Sequence, residues 1–197
     1  MANQAGGFFY HWIAFRFRKN LWKPYIEQVV SWLNAWKPPV RRLIIVGPSA
    51  GYSLPTEWLN RFESLVLIDP DPRARKKFSK IHPGLKTKPD WIIHSLFEDS
   101  DLGSWKTTIR GNTPTAILFS NFLGQLKYAE IKLPVKDFID AIPAGTQWAS
   151  YHDRYSYYGK DTIDHETGDF PRSKKMGETK WEITPGVIHQ IDWVIGN

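Results

Sequence analysis

RLIIVGPSAG, residues 42–51, is the stretch of sequence that decides the fold. It begins with an apolar run typical of a strand buried on both faces of a sheet, and it continues at Gly47 into a turn of small residues. A second apolar run, SLVLI at 64–68, ends at Asp69, about 20 residues beyond the turn. In open α/β sheets, ligands bind at the carboxyl ends of the strands, where small residues admit a ligand and an acid accepts hydrogen bonds from ribose hydroxyls. The spacing therefore predicts a nucleotide-binding α/β domain.

The rest of the chain alternates short strand patterns with helical patterns, which indicates βαβ units around a parallel sheet. The further strands are predicted at 91–94, 115–119 and 146–150, with a terminal antiparallel hairpin of 180–184 and 190–195. The predicted helices are two within 8–36, one with Pro55 in its first turn, one capped by Asp71 before Pro72, one around 102–109 and one at 134–142. Residues 152–178 are polar and aperiodic, so we expect a long loop there.

Length and composition favour one cytoplasmic domain. A chain of 197 residues can build a single core, here with an N-terminal helical segment (1–40) packed on the main domain (41–197). The absence of cysteine excludes disulfides, thiolate metal sites and a cysteine nucleophile. No apolar run reaches the roughly 20 residues of a membrane span, and the first positive charges follow the N-terminal apolar stretch instead of preceding it as in a secretory signal. The net charge of +6 could attract nucleic acid, but the basic residues are scattered, which favours ordinary solvated surface.

The turn at Gly47 does not suit a dinucleotide. A G-x-G-x-x-G motif would place glycines where this chain has Ser49 and Tyr52, and Tyr52 disfavours close packing of helix on strand. No Gly-Lys-Ser/Thr follows the turn, so a P-loop is excluded too. S-adenosylmethionine (SAM) carries no phosphate and makes fewer demands on this loop.

Three stretches carry a resemblance to a known family. LIIVGPSAGYSLP (43–55), LVLIDPDP (65–72) and AILFSNFLGQL (116–126) resemble the first, second and fourth motifs of class I SAM-dependent methyltransferases, in that order and spacing. The match covers about residues 41 to 150. The resemblance implies a Rossmann-like, three-layer α/β sandwich whose mostly parallel seven-stranded sheet ends in an antiparallel strand, with the N-terminal helices added.

The resemblance also implies positions for the cofactor. Gly47, Ser49, Ala50 and Gly51 would lie against the methionine end of SAM, and Asp69 with Pro70 against its ribose. Ser95 and Leu96, after the third strand, would lie by the adenine. Ser120 and Asn121, after the fourth strand, would lie near the methyl group and the acceptor, which we expect to be a small molecule because no separate nucleic-acid module is visible.

The candidate catalytic residues are Asn121, His152 and Asp153. Methyl transfer is an in-line displacement, so the protein mainly aligns the nucleophile and needs a base only where the nucleophile begins protonated. Asn121 could position an acceptor group or cap the turn. His152 titrates near neutral pH and could be the base, with Asp153 orienting it or binding substrate; the alternative is an ordinary polar surface loop.

No metal site is expected, because the six histidines are scattered and no pair has the i, i+4 spacing of a helical metal site. The acids of residues 161–169 do not fit an EF-hand loop. The aromatic N-terminus has three interpretations, namely a lid on the cleft, a contact with its own domain or a dimer partner, and a membrane contact. Packing on its own domain or in a homodimer is favoured.

An alternative function remains open. The sparse glycine loop, and Val46 where the family often has an acid, favour a non-catalytic protein of the same fold that binds RNA or a partner protein. The fold alone does not decide between these functions, because function depends on the site.

Overall fold

The computed structural model describes residues 7–93, 102–111, 113–128, 134–167 and 169–197. Its helices are α1 (Gly7–Phe17), α2 (Lys23–Ala35), α3 (Thr56–Leu59), α4 (Pro72–Ile81), α5 (Gly103–Ile109) and α6 (Val135–Asp140), with a 3-10 helix at Leu123–Tyr128. Its strands are β1 (Arg42–Val46), β2 (Ser64–Ile68), β3 (Asp90–Ile92), β4 (Thr115–Ser120), β5 (Trp148–Tyr158), β6 (Asp161–Asp164), β7 (Ser173–Thr184) and β8 (Val187–Gly196).

The strands form one mixed sheet in the order β3-β2-β1-β4-β5-β8-β7. Strands β1 to β5 run parallel to one another, and β8 lies antiparallel between β5 and β7. The predicted fold class, a mostly parallel sheet whose last strand is antiparallel, is confirmed. The carboxyl ends of β1 and β2 adjoin each other, which places the residues that follow Val46 beside those that follow Ile68.

Within the described residues the sheet has eight strands where seven were expected, and the prediction of a long loop at 152–178 was wrong. Strand β5 continues to Tyr158, and a two-residue turn at Gly159 and Lys160 leads into β6, which pairs with β5. Gly159 has a φ of +62°, the left-handed conformation that such a hairpin turn requires. Strand β7 begins at Ser173, so most of the supposed loop is sheet.

Each face of the sheet carries its own hydrophobic core. Leu43 and Ile45 of β1 point to one face, where α2, α3 and α4 pack with Val29, Trp58 and Phe78. The alternate residues of β1 point to the other face, where α5 and α6 pack. Because successive side chains of a strand point to opposite faces, an unbroken apolar run is what a doubly covered strand needs, and this produces the three-layer sandwich.

The N-terminal helices join the first of these cores. The indole N–H of Trp22 donates to the carbonyl of Ile183 in β7 at 2.9 Å, and Tyr25 stacks on Trp181 with ring centroids 4.7 Å apart. The division of the chain at residue 40 stays a prediction, but these contacts tie α2 to the far edge of the sheet. Among the helices of the described ranges, none has the length and apolar character that a membrane-spanning segment requires.

Candidate functional site

Asp69 fixes the turn that follows β1. One carboxylate oxygen, Oδ2, accepts the backbone N–H of Ser49 at 2.7 Å, and the other, Oδ1, accepts that of Asp71 at 2.9 Å. The side chain is nearly buried, and burial raises the pKa of Asp69 to about 6, although the two backbone hydrogen bonds act in the opposite direction. The glycine turn and the acid at the end of β2, which the sequence predicts to flank one ligand site, are therefore joined by a direct hydrogen bond.

The turn itself has an unusual backbone. Gly47, Ser49 and Gly51 have φ values of +71°, +49° and +70°, which is the left-handed region that glycine enters without strain. Ser49 has a side chain there, so the hydrogen bond from its N–H to Asp69 supports a conformation that a serine alone disfavours.

Gly51 is required by close packing. A Cβ atom built there would lie 2.5 Å from Nε2 of His82 and 2.7 Å from the ring of Phe78. His82 donates from Nε2 to the carbonyl of Gly51 at 3.2 Å and accepts at Nδ1 from the Thr56 hydroxyl at 2.8 Å. Burial lowers the pKa of His82 to about 4, so the imidazole is neutral at pH 7 and holds the turn against α4.

Ser49 also bears on whether the site suits a ligand. Its hydroxyl oxygen is buried and, within the described part of the chain, has no hydrogen-bond partner. Buried hydroxyls are normally satisfied, so an orphaned one beside a buried carboxylate suits a ligand that carries hydroxyl or amino groups. Of the other residues predicted to bind cofactor, Ala50 is buried in the same turn and Pro70 is exposed after β2.

Two aromatic residues border the turn. A Cβ atom built on Gly47 would lie 3.1 Å from Cβ of Phe122 and 3.3 Å from the carbonyl of Ser120, so the residues after β4 reach the start of the turn. Tyr52 packs against the rings of Tyr10 and Trp22 from the N-terminal segment.

Helix α1 covers this edge of the sheet. Nδ1 of His11 lies 3.0 Å from the hydroxyl of Tyr52, and its Nε2 lies 3.2 Å from Oδ2 of Asp71. His11 is almost completely buried, and burial, followed by the charge of Lys77, lowers its pKa although Asp71 raises it. The N-terminal segment thus contacts the residues that follow both β1 and β2.

A chain of hydroxyl groups lies where β4 and β5 end their parallel pairing. Tyr151 bonds through its hydroxyl to the Ser120 hydroxyl and, at 2.9 Å, to that of Ser53. Tyr151 is wholly buried, and desolvation raises its pKa. Ser120 was predicted from the sequence, but Tyr151 and Ser53 carry no local signal because their proximity depends on the pairing of β4 with β5.

Asn121 connects the end of β4 to β5. Its N–H donates to the carbonyl of Tyr151 at 2.8 Å, and its side-chain Oδ1 accepts the N–H of Asp153 at 3.2 Å. Its φ of +51° is the left-handed conformation that asparagine tolerates better than most residues. The amide oxygen thus joins the two strands, while the side chain is half-buried.

His152 and Asp153 lie inside β5, in a buried strand and not in a surface loop. Nδ1 of His152 lies 2.9 Å from the Ser150 hydroxyl, its ring packs on Phe170, and burial lowers its pKa to about 3. Oδ1 of Asp153 lies 3.1 Å from Nδ1 of His189. Burial alone would raise the pKa of Asp153, but His189, followed by His165 and His152, outweighs it and lowers the pKa. The side-chain partner of His152 is therefore Ser150, whereas the carboxylate of Asp153 faces His189.

The structure brings Asp153 together with His165 and His189, a buried group that the sequence analysis missed. No signal in the sequence could have found it, because the three residues come from β5, the segment after β6, and β8. Ser95 and Leu96, predicted to lie by adenine, fall outside the described residues.

No protein-family model and no curated protein matches the amino-acid sequence. By fold, the chain is similar to the N-methyltransferase NodS from Bradyrhizobium japonicum WM9 (TM-score 0.55, 12% identity, 89% of this chain and 95% of that one). It is similar to the magnesium protoporphyrin IX methyltransferase ChlM from Synechocystis PCC 6803, solved with bound SAM (TM-score 0.51, 12% identity, 87% of this chain and 78% of that one). It is also similar to the 16S rRNA methylase ArmA (TM-score 0.52, 11% identity, 94% of this chain and 88% of that one). The chain therefore has the class I methyltransferase fold that these enzymes share.

Proposed function

We propose that this protein is a SAM-dependent methyltransferase acting on a small-molecule acceptor. The observation that carries the proposal is the buried carboxylate of Asp69, bonded to the N–H of Ser49 beside the orphaned Ser49 hydroxyl. These groups lie at the carboxyl ends of β1 and β2, which is where ligands bind in open α/β sheets. The fold similarity to methyltransferases solved with SAM or its product supports the same cofactor.

The residues around the turn suit the binding of a nucleoside. A carboxylate can accept about four hydrogen bonds, and the backbone uses two of those of Asp69, so ribose hydroxyls can donate to the remaining lone pairs. The Ser49 hydroxyl, which has no hydrogen-bond partner among the described residues, can serve as a further donor or acceptor. Gly47, Ala50, Gly51, Pro70, Ser95, Leu96, Ser120 and Asn121 stay predicted cofactor contacts.

SAM supplies a methyl group on a sulfonium centre, and the chain must present the acceptor to it in line. Asn121, held by the backbone of Tyr151 and Asp153, is the residue we assign to acceptor positioning. Asp153 acts through this contact as a positioning residue. His152 stays a predicted base, although its burial under Phe170 and its pKa of about 3 favour a packing role. An acceptor that reacts without losing a proton beforehand suits such a site best.

Thermal unfolding with and without SAM tests the cofactor. A ligand at about 100 times its dissociation constant stabilises by roughly 2.7 kcal/mol, which raises Tm by several degrees for a chain of this size. We expect that rise with SAM and none with NADH. The rise should disappear in Asp69→Ala and persist in Asp90→Asn, a matched variant that removes an exposed carboxylate at the start of β3.

A second candidate function, a non-catalytic protein of the same fold that binds RNA or a partner protein, is favoured by one contact. Phe122 packs closely against Gly47, at 3.1 Å from a Cβ atom built there, where its ring could compete with a cofactor for the turn. No Tm change with SAM in folded wild-type protein would support this candidate, and RNA binding in a gel-shift assay would select its RNA-binding form. Restored SAM binding in Phe122→Ala would then show that the aromatic ring blocks the site.

We also propose that the protein forms a homodimer through α1. While His11 and Ala14 face the protein, four aromatic side chains of the same helix are exposed, namely Phe8 (69%), Phe9 (69%), Trp12 (54%) and Phe15 (81%). This aromatic face is larger than the scattered apolar residues of an ordinary surface. Light scattering should give twice the monomer mass for wild type and the monomer mass for a Phe8→Ser/Phe15→Ser variant. A monomeric wild type would refute the dimer.

A further inference from the structure

A second site lies away from the glycine turn, where β5, β8 and the segment after β6 meet. Asp153, His165 and His189 converge there, and one donor atom from each lies within 4.8 Å of the other two. All three side chains are buried, with 0%, 5% and 5% of their surfaces exposed. A carboxylate and two imidazoles rarely meet inside a core by packing alone, because each polar side chain needs a hydrogen-bond or charged partner when it is removed from water.

The carboxylate of Asp153 is only half satisfied. Its Oδ2 accepts a hydrogen bond from the side-chain amide of Gln125. Its Oδ1 has no hydrogen bond from any described residue, and it lies 3.1 Å from Nδ1 of His189, at ion-pair distance but without the alignment of a hydrogen bond. An oxygen of a wholly buried carboxylate is costly to leave without a donor or a cation.

His165 is oriented as metal-binding histidines usually are. Its Nδ1 lies 3.1 Å from the carbonyl oxygen of Gly124, and because a carbonyl can only accept, Nδ1 carries the proton. The lone pair of Nε2 is therefore turned towards the Ser156 hydroxyl, 2.6 Å away, and towards the other two residues of the group. A backbone carbonyl that fixes the tautomer in this way is the usual outer support of a histidine ligand.

The same atoms do not form a hydrolytic triad. In such a triad, the serine and the acid contact different nitrogens of the histidine, so that a proton can pass across the ring. Here the Ser156 hydroxyl and Oδ1 of Asp153 both lie 3.1 Å from the same nitrogen, Nδ1 of His189. The side chains therefore surround one common point, as the ligands of a metal ion do, and they do not form a proton relay.

We propose that Asp153, His165 and His189 bind a divalent transition-metal ion, with zinc as the best match. Two imidazoles and one carboxylate are a ligand set that zinc accepts, with bonds of about 2.0–2.2 Å. In a tetrahedral site with such bonds, the donors lie roughly 3.3–3.6 Å apart. Oδ1 of Asp153 and Nδ1 of His189, 3.1 Å apart, are already close to that spacing. The donor atoms of the group all lie within 4.8 Å of one another, so the longer separations must contract by up to about 1.4 Å. The ion would lie between the two imidazoles, where the Ser156 hydroxyl now contacts both of them. The hydroxyl would move aside and pack next to the ligands.

The site joins parts of the chain that are distant in sequence. Asp153 belongs to β5, His189 to β8, and His165 anchors the segment after β6 to the 3-10 helix through Gly124. The N–H of Asp153 also donates to Oδ1 of Asn121. A metal ion here therefore holds the antiparallel end of the sheet together and steadies the backbone behind Asn121, whether or not the protein transfers methyl groups.

Metal content and cobalt spectroscopy test the site. The full chain, purified through an affinity tag without histidine from zinc-supplemented cells, should carry about one equivalent of zinc by plasma mass spectrometry. Protein refolded from urea with Co²⁺ should show one equivalent of cobalt with the intensified visible absorption of a site of low coordination number. His165→Gln and His189→Gln should each lose the bound metal, and His82→Gln, which removes another buried histidine, should retain it.

A measurement on wild type alone covers the case in which a ligand variant fails to fold. Removal of the ion by chelator should lower the wild-type Tm by several degrees, and added zinc should restore it. Less than about 0.1 equivalent of metal under both preparations, with no Tm response to zinc, would overturn the proposal and leave a hydrogen-bonded packing cluster. Equal metal loss in His82→Gln would also overturn it, because the ion would then lie elsewhere.

Discussion

Lowering the pH from 7 to 5 should destabilise this protein, and the three buried groups with large pKa shifts should dominate the change, with the lowered pKa of His11 acting in the same direction as the histidines among them. The folded-state pKa values of His82 and His152 are lowered to about 4 and about 3 from an ordinary 6.5, and that of Asp69 is raised to about 6 from 3.8. The histidines contribute stability that is present above pH 6.5 and is lost as pH falls, because the unfolded chain takes up their protons first. Asp69 acts in the opposite sense, because the folded chain takes up its proton first.

The magnitude follows from about 1.4 kcal/mol per pH unit for each proton. By pH 5, each histidine has lost about 2 kcal/mol over the 1.5 units below its unfolded pKa, while Asp69 has regained about 1.4 kcal/mol over one unit. The free energy of unfolding should therefore be about 3 kcal/mol smaller at pH 5 than at pH 7. Between pH 6 and pH 5, the slope corresponds to one net proton taken up on unfolding.

Urea unfolding at several pH values, followed by tryptophan fluorescence, measures this slope. His82→Gln should abolish it between pH 6 and pH 5, since one histidine and Asp69 then cancel, and Asp69→Asn should double it. A wild-type free energy that stays constant from pH 7 to pH 5 would refute the reasoning. So would an unchanged slope in His82→Gln, because the imidazole would then titrate alike in the folded and unfolded chain.

Three further outcomes are expected. Gly51→Ala should cost about 2–4 kcal/mol in urea unfolding, because the added Cβ meets an imidazole and a phenyl ring; Gly159→Ala, with a similar φ but open space, should cost only about 1 kcal/mol, and equal costs would contradict the packing argument. Trp22→Phe should cost about 1–3 kcal/mol, because it leaves the buried carbonyl of Ile183 without its donor; no loss would show that water replaces it. The dissociation constant of SAM, measured calorimetrically, should rise up to about tenfold per pH unit below 6 as Asp69 is protonated, and a constant value would argue against a ribose contact there.

The parts of the fold that the sequence predicts well are those whose signal is local. Strands β1 and β2 occupy the residues that their apolar runs indicated, because burial on both faces leaves no polar position to blur the pattern. The Asp71 cap of α4 is equally local, since its carboxylate accepts the N–H of Arg73 two residues later. The spacing of Gly47 and Asp69 indicated that they lie at neighbouring strand ends, and β1 and β2 are adjacent and parallel there.

The extended end of the sheet could not be predicted in this way. Strand β5 contains the buried polar residues Ser150, His152, Asp153 and Ser156. A pattern of polar residues is typical of a loop, because polarity is associated with exposure. Here the Ser156 hydroxyl bonds to His165 and His189, and the completed sheet alone brings these distant partners near. Interactions between residues far apart in sequence leave no periodicity that a single sequence can reveal.

The contact between Trp22 and Ile183 has a consequence for how the molecule forms. The two residues are separated by 161 positions, so the N-terminal helices cannot reach their native packing until β7 has been synthesised and paired. Contacts of such long range slow folding, because a large loop must close before they contribute. Until β7 is synthesised, the faces of Trp22 and Tyr25 that pack on Trp181 in the folded protein stay uncovered. The nascent chain should therefore depend on chaperones that shield its first 35 residues until the last strands leave the ribosome.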